Sequence, residues 1–168
     1  MKRVLVAGIG NIFFGDDGFG CAVTAELLKR PWPAGVNIVD FGIRAYDLAY
    51  AIMDDHDATV LLDAAPRGEN PGTVYLLELD PEKLGGCEDE IVDAHALTPV
   101  RLLQLVRALG GRARNLYLVG CEPARLDSEG IIGLSSEVRD AVPVAVKMVE
   151  KIIEDLSSGH RIVENFPN

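Results

Sequence analysis

A chain of 168 residues, 48% hydrophobic and 25% charged, reads as one ordinary globular domain that buries about two-thirds of its unfolded surface. Acidic residues outnumber basic ones, 26 to 16, and the net charge of -10 argues against nucleic acid and anionic membrane surfaces as partners. No apolar run approaches the roughly 20 residues that span a bilayer. The brief N-terminal apolar stretch carries no secretory cleavage site, so a cytoplasmic location is expected.

Val4 to Ala7 is a short apolar run and predicts a buried first strand. A glycine-rich loop, Gly8 to Gly20, follows, and a helix is expected from Cys21 to Leu28. The breakers Pro31 to Gly35 close that helix. Val36 to Asp40 predicts a second strand, and Ala45 to Met53 a second helix through Leu48, Ala49 and Ile52. Thr59 to Asp63 is a third strand, continuously apolar as a strand covered on both faces should be. Thr73 to Leu79 is a fourth strand, followed by a polar loop from Asp80 to Ala94 with one helical turn near Pro81 to Leu84. Thr98-Pro99 pairs an N-cap with proline at the first helical position and starts a helix to Leu109. Asn115 to Gly120 is a fifth strand. The final helix runs from about Ser135 to Leu156, with Pro143 as a kink or a break. Strands alternating with helices predict an α/β fold whose mostly parallel five-stranded sheet is flanked by helices in three layers. One domain over residues 1–156 is expected, with a patternless tail at 157–168.

The first loop, Gly8-Ile9-Gly10-Asn11 through Asp16-Asp17-Gly18-Phe19-Gly20, invites comparison with a dinucleotide fingerprint and fails it. Phe13 occupies the third glycine position, and Asp40 comes too late to hold a ribose. Two adjacent carboxylates also oppose a phosphate, which wants N–H groups and cations. The loop fits a metal or catalysis. One of the two acids is expected to cap the following helix. Asn11 is expected to shape the loop and Asp16 to serve as the cap.

In open α/β sheets, sites gather outside the carboxyl ends of the strands. Asp17 follows the first strand there, Asp40 the second, and Asp63 closes the third, emerging from an apolar wall that leaves it needing a partner. Capping the next turn is the competing role for Asp63. His95 stands three residues before the Thr98 cap in a segment without an aliphatic face, whereas His56 and His160 fall in a charged run and in the tail. Cys21, Cys87 and Cys121 have no close spacing, which excludes a zinc site or disulfide framework, and Cys21 and Cys121 read as small hydrophobes.

Together these residues carry a resemblance. The pattern G-x-G-N-x-x-x-x-D-D-G-x-G after the first strand, an acid ending the third, and a histidine before a helix is similar to the hydrogenase maturation endopeptidases. Val119-Gly120-Cys121-Glu122-Pro123 and Gly133-Leu134-Ser135 extend the likeness from about Met1 to Leu156. The resemblance implies a twisted sheet between helices and a protease that trims the C-terminal extension of a NiFe hydrogenase large-subunit precursor after nickel insertion. It implies that Asp17, Asp63 and His95 form the catalytic and metal-contacting set, with nickel recognised in the substrate or replaced by another divalent ion. Relatives often carry glutamate at the first position, so Asp17 is a shorter arm. An O/O/N set suits borderline divalent ions; its water could attack the scissile carbonyl, or a carboxylate could act as general base. Relatives also often carry D-G-G-T-x-G after the second strand. Here Asp40, Phe41, Gly42, Ile43 and Arg44 make that loop bulkier and more basic, and it is the expected substrate-recognition segment. Two alternatives remain at this point: a non-catalytic nickel-binding chaperone, and a metal-dependent hydrolase of small substrates.

Overall fold

A computed structural model of the chain describes residues 2–80, 98–126, 130–160 and 162. The five strands are β1 (Val4–Ile9), β2 (Val36–Gly42), β3 (Ala58–Ala64), β4 (Val74–Leu79) and β5 (Leu116–Cys121). The helices are α1 (Phe19–Leu27), α2 (Ala45–Met53), α3 (Pro99–Ala108) and α4 (Ser136–Ser158), and a 3-10 turn spans Gly15–Gly18. One sheet forms in the order β2-β1-β3-β5-β4. Its β1–β2, β1–β3 and β3–β5 pairs are parallel, and β4 runs antiparallel to β5 at the edge. The connection at 65–73 is too short for the crossover of a dozen or more residues that a parallel neighbour requires. The chain therefore turns back and takes the edge position.

Period-2 alternation sorts the strand residues onto two faces. Val4, Val6, Val60, Leu62 and Val119 pack with Phe19, Val23 and Leu27 of α1 and the apolar stripe of α4. Leu5, Ala7, Leu61 and Leu118 pack instead with Leu48 and Ile52 of α2 and Leu102 and Val106 of α3. The sheet is thus mixed, mostly parallel, and flanked by helices on both faces.

The helix signals hold locally. Thr98 accepts a hydrogen bond from the Arg101 N–H and caps α3 behind Pro99. Ser135 does the same for Val138 at the start of α4, which continues as one helix through Pro143. Gly159 closes it in the left-handed conformation at φ 76°. Packing extends past the expected domain end at 156: Ser157 and Ser158 are helical, and Ile162 is buried in the α1/α4 core. Apart from Asp80, the predicted loop to Ala94, with its helical turn and Cys87, lies outside the described residues.

Gly20 lets α1 sit directly on the sheet. A Cβ there would stand 2.1 Å from the Leu62 carbonyl oxygen and 2.3 Å from that of Ile9. This close approach brings the loop after β1 down beside the end of β3.

Candidate active site

The loop after β1 is held by its own backbone. Gly10 adopts φ 132°, and a Cβ on it would lie 1.8 Å from the Asp17 carbonyl oxygen, so only glycine fits the turn. Asn11 shapes the loop as expected, its side-chain oxygen accepting from the Phe13 N–H at 3.0 Å.

The paired acids then diverge. Asp16 does not cap the adjoining helix; neither the 3-10 turn nor α1 has a side-chain cap. Its buried carboxylate instead accepts from Ala124 N–H at 2.9 Å, Arg125 N–H at 3.1 Å, Ser135 N–H at 2.7 Å and the Ser135 hydroxyl at 3.0 Å. These donors lie more than a hundred residues away and include the first residue before α4, where the helix dipole also favours an anion. Asp16 is a structural tie between the first loop and the last helix.

Among the described residues, Asp17 accepts one hydrogen bond, from the Asn11 N–H at 2.7 Å. Partial burial pushes its carboxyl above the ordinary aspartate value, with that hydrogen bond pulling the other way. Asp63, 6% exposed at the end of β3, is pushed well above it. Burial is the main cause and the charge of Asp17 the next, with the Ala64 backbone N–H opposing. The two acids therefore share one electrostatic environment at the carboxyl rim. Burial and like charge both favour a proton or a cation there. His95, the third expected member, lies outside the described residues; among those described, no group of three His, Cys, Asp or Glu side chains is gathered to hold a metal.

The loop after β2 approaches the same rim. Gly42 C=O accepts from the Gly10 N–H at 3.1 Å, and Asp40 accepts from the Gly42 N–H at 3.0 Å. Arg44 folds back on the loop, donating to the carbonyls of Phe41 and Asp40 and pairing with Asp47 at 3.4 Å. Ile43 is 69% exposed. Phe41 departs from the expected surface role: the β1–β2 register shifts at this point, and the ring is buried with Leu5, Ala7 and Leu48. Only the remainder of the loop presents side chains outward.

Beside the first loop and Asp40 lies a groove of about 360 Å³ lined by Ile12, Cys21, Ala22, Asp40, Ile132 and Leu134. Its walls are two paired loops, with Gly15 N–H donating to Ile131 C=O and Gly130 N–H to Phe13 C=O. Ile12, Phe13, Ile131 and Ile132 stand exposed on them. An exposed apolar surface of this kind is a candidate interaction surface. The Cys21 thiol donates to the Gly10 carbonyl, and burial together with neighbouring Asp40 pushes it up to about 12. Burial and the charges of Asp16 and Glu122 push the Cys121 thiol up to about 12 as well. Neither is a nucleophilic thiolate at neutral pH.

A hydrogenase maturation protease family model matches residues 21–152. The chain belongs to the hydrogenase maturation protease family, and it is a peptide-bond hydrolase. The matched span includes Asp63 and His95 and begins just after Asp17. The hydrogenase expression/formation protein HupD of Rhizobium leguminosarum is 31% identical over 153 residues, covering 90% of this chain and 74% of that protein. The hydrogenase 2 maturation protease of Escherichia coli is 30% identical over 149 residues and 88% of each chain. The solved hydrogenase maturating endopeptidase HybD of E. coli superposes with a TM-score of 0.76 at 27% identity, covering 91% of this chain and 93% of that one. The last of these shares the fold described above.

Glu122, Tyr75 and Arg67 also border this protease's rim, and the sequence reading gave them no role there. Glu122 had a signal: it ends a continuously apolar strand, as Asp63 does. Its buried carboxylate accepts from the Arg67 N–H at 2.6 Å and the Gly68 N–H at 3.4 Å.

Proposed function

We propose that this protease removes the C-terminal extension of a NiFe hydrogenase large-subunit precursor once nickel has been inserted, using Asp17, Asp63 and His95. The observation that carries the reading is that Asp17 and Asp63, partly and almost fully buried acids from two different strand ends, lie close enough at one rim for the charge of Asp17 to help push the Asp63 carboxyl up. Such a pair fits a divalent ion, because a cation relieves both the burial cost and the like-charge repulsion. Nickel belongs to the substrate in this reading, and the precursor presents it to the two carboxylates and His95. An unmetallated precursor then offers the acids nothing to bind, so cleavage waits for insertion.

The chemistry needs one water and one proton shuttle. A carboxylate whose pKa is raised takes the water's proton as the oxygen attacks the scissile carbonyl. The same carboxyl returns that proton to the departing amine, so no net proton is consumed at the site. The exposed Ile12, Phe13, Ile131 and Ile132 favour an extended polypeptide substrate over a small molecule. Ile43 and the Asp40–Arg44 loop contribute to the choice of precursor.

Purified protein incubated with nickel-loaded and nickel-free precursor tests the reading. A shortened large subunit only in the loaded sample supports it. Binding without cleavage, or turnover of small amides or esters with an intact precursor, overturns it.

A further inference from the structure

In the sheet, Gly120 of β5 lies between Asp63 on one side and Tyr75 on the other. Having no side chain, Gly120 leaves a gap that the Tyr75 ring fills; a Cβ there would stand 2.4 Å from the ring. The Tyr75 hydroxyl donates to the Ala65 carbonyl at 2.6 Å, pinning the ring against the turn that leaves β3. Over that ring, 4.7 Å from its centroid, lies the Arg67 guanidinium. The backbone on which Arg67 rides is fixed in turn by the buried Glu122 carboxylate. Arg67 is exposed, and among the described residues its guanidinium makes no hydrogen bond or ion pair beyond this stacking.

A surface arginine ordinarily loses much rotamer freedom on binding a ligand. Here the stacking and the Glu122 clamp have already removed part of it, and the donors remain free. Planar guanidinium donors match a carboxylate in bidentate geometry better than any other side chain does. The placement also matters. Asp17 and Asp63 repel acidic groups approaching the rim, so an acidic substrate segment needs a compensating cation nearby. Arg67, four residues past Asp63 and on the tyrosine that shares its sheet row, is placed to supply it.

We propose that Arg67 is a specificity-determining residue that binds a carboxylate of the polypeptide substrate beside the cleavage site. The carboxylate comes from an acidic side chain of the removed segment or from its C-terminus. The inference rests on the protease reading above and adds to it a site for an anionic group.

Steady-state cleavage of nickel-loaded precursor by wild type, Arg67→Ala, Arg67→Lys and Tyr75→Leu tests it, with thermal melts as a check on folding. Arg67→Ala is expected to raise KM about tenfold while kcat stays within about twofold. Arg67→Lys should recover part of the loss, since it keeps the charge and loses the fork. Tyr75→Leu should raise KM less than Arg67→Ala, because the cation remains but is no longer held. Two further precursors separate the sources, one with amide side chains replacing the acids of the extension and one with an amidated C-terminus. Whichever modification matters should raise KM for wild type and leave Arg67→Ala unaffected. Equal KM for wild type and Arg67→Ala, with Asp63→Asn inactive, overturns the carboxylate site and leaves the protease reading standing. A KM shift that neither modified precursor reproduces also overturns it. Failure of wild type to cut any precursor overturns both.

Discussion

At the amino edge of the sheet, acidic residues are exposed and locally satisfied: Asp57 accepts from the Arg3 N–H at 2.6 Å, and Asp55 pairs with the Arg3 guanidinium at 3.6 Å. At the carboxyl edge, Asp17 and Asp63 are drawn into the protein, and the charge of Asp17 bears on Asp63. The two edges share a residue type and differ in solvation. At one edge charge serves solubility and local ties; at the other it is held at a cost that a cation or a proton would relieve. Asp16 shows that burial alone does not make a strained acid, because four donors satisfy it completely.

Substitutions should separate these environments in descending order of effect. Asp17→Asn, Asp63→Asn and His95→Ala are each expected to lower precursor cleavage by about a hundredfold or more, read on gels of the nickel-loaded precursor. Retained fold, checked by circular dichroism, makes that loss specific. Normal processing by any two of them removes the proposed site. Asp16→Ala strands several buried donors and should cost about 3 kcal/mol or more, lowering the melting temperature by roughly 6–12 °C. A change of a degree or less would mean that Asp16 is not the tie described.

Asp63→Asn should act in the opposite direction on stability. Because the folded protein holds the Asp63 proton more tightly than the unfolded chain does, stability falls as pH rises above the unfolded value near 3.8. Removing that charge is expected to stabilise the metal-free protein at pH 7, with little effect below pH 4. Thermal melts across that range would settle the sign. A loss of stability at pH 7 would mean that Asp63 is already satisfied. Adding nickel or zinc should raise the melting temperature of wild type and not of the variant. At the amino edge, Arg3→Ala is expected to change stability by less than about 1 kcal/mol, measured by urea denaturation.

Much of the fold was legible because the signals are local. Thr98-Pro99, the apolar run ending in Asp63 and the 3.6-residue stripe of the last helix each specify their own segment. The edge strand was harder: β4 reads like any strand, and its antiparallel direction follows from the short connection before it. Phe41 was misread because a register shift in the sheet, invisible in sequence, turns its ring into the core. Asp16 and Asp17 are chemically identical neighbours, and the structural role of Asp16 shows only in its contacts from residues 124, 125 and 135. Arg67 and Tyr75 carry no motif; their relation depends on Gly120 being the residue between two strands.

The long-range bonds of Asp16 have a consequence for biosynthesis. The loop bearing Asp17 is made among the first residues, yet the partners that hold its neighbour are Ala124, Arg125 and, last of all, Ser135. A chain that stops before Ser135 lacks two of the four donors to the Asp16 carboxylate, so the tie on the first loop is complete only when the start of the final helix is in place.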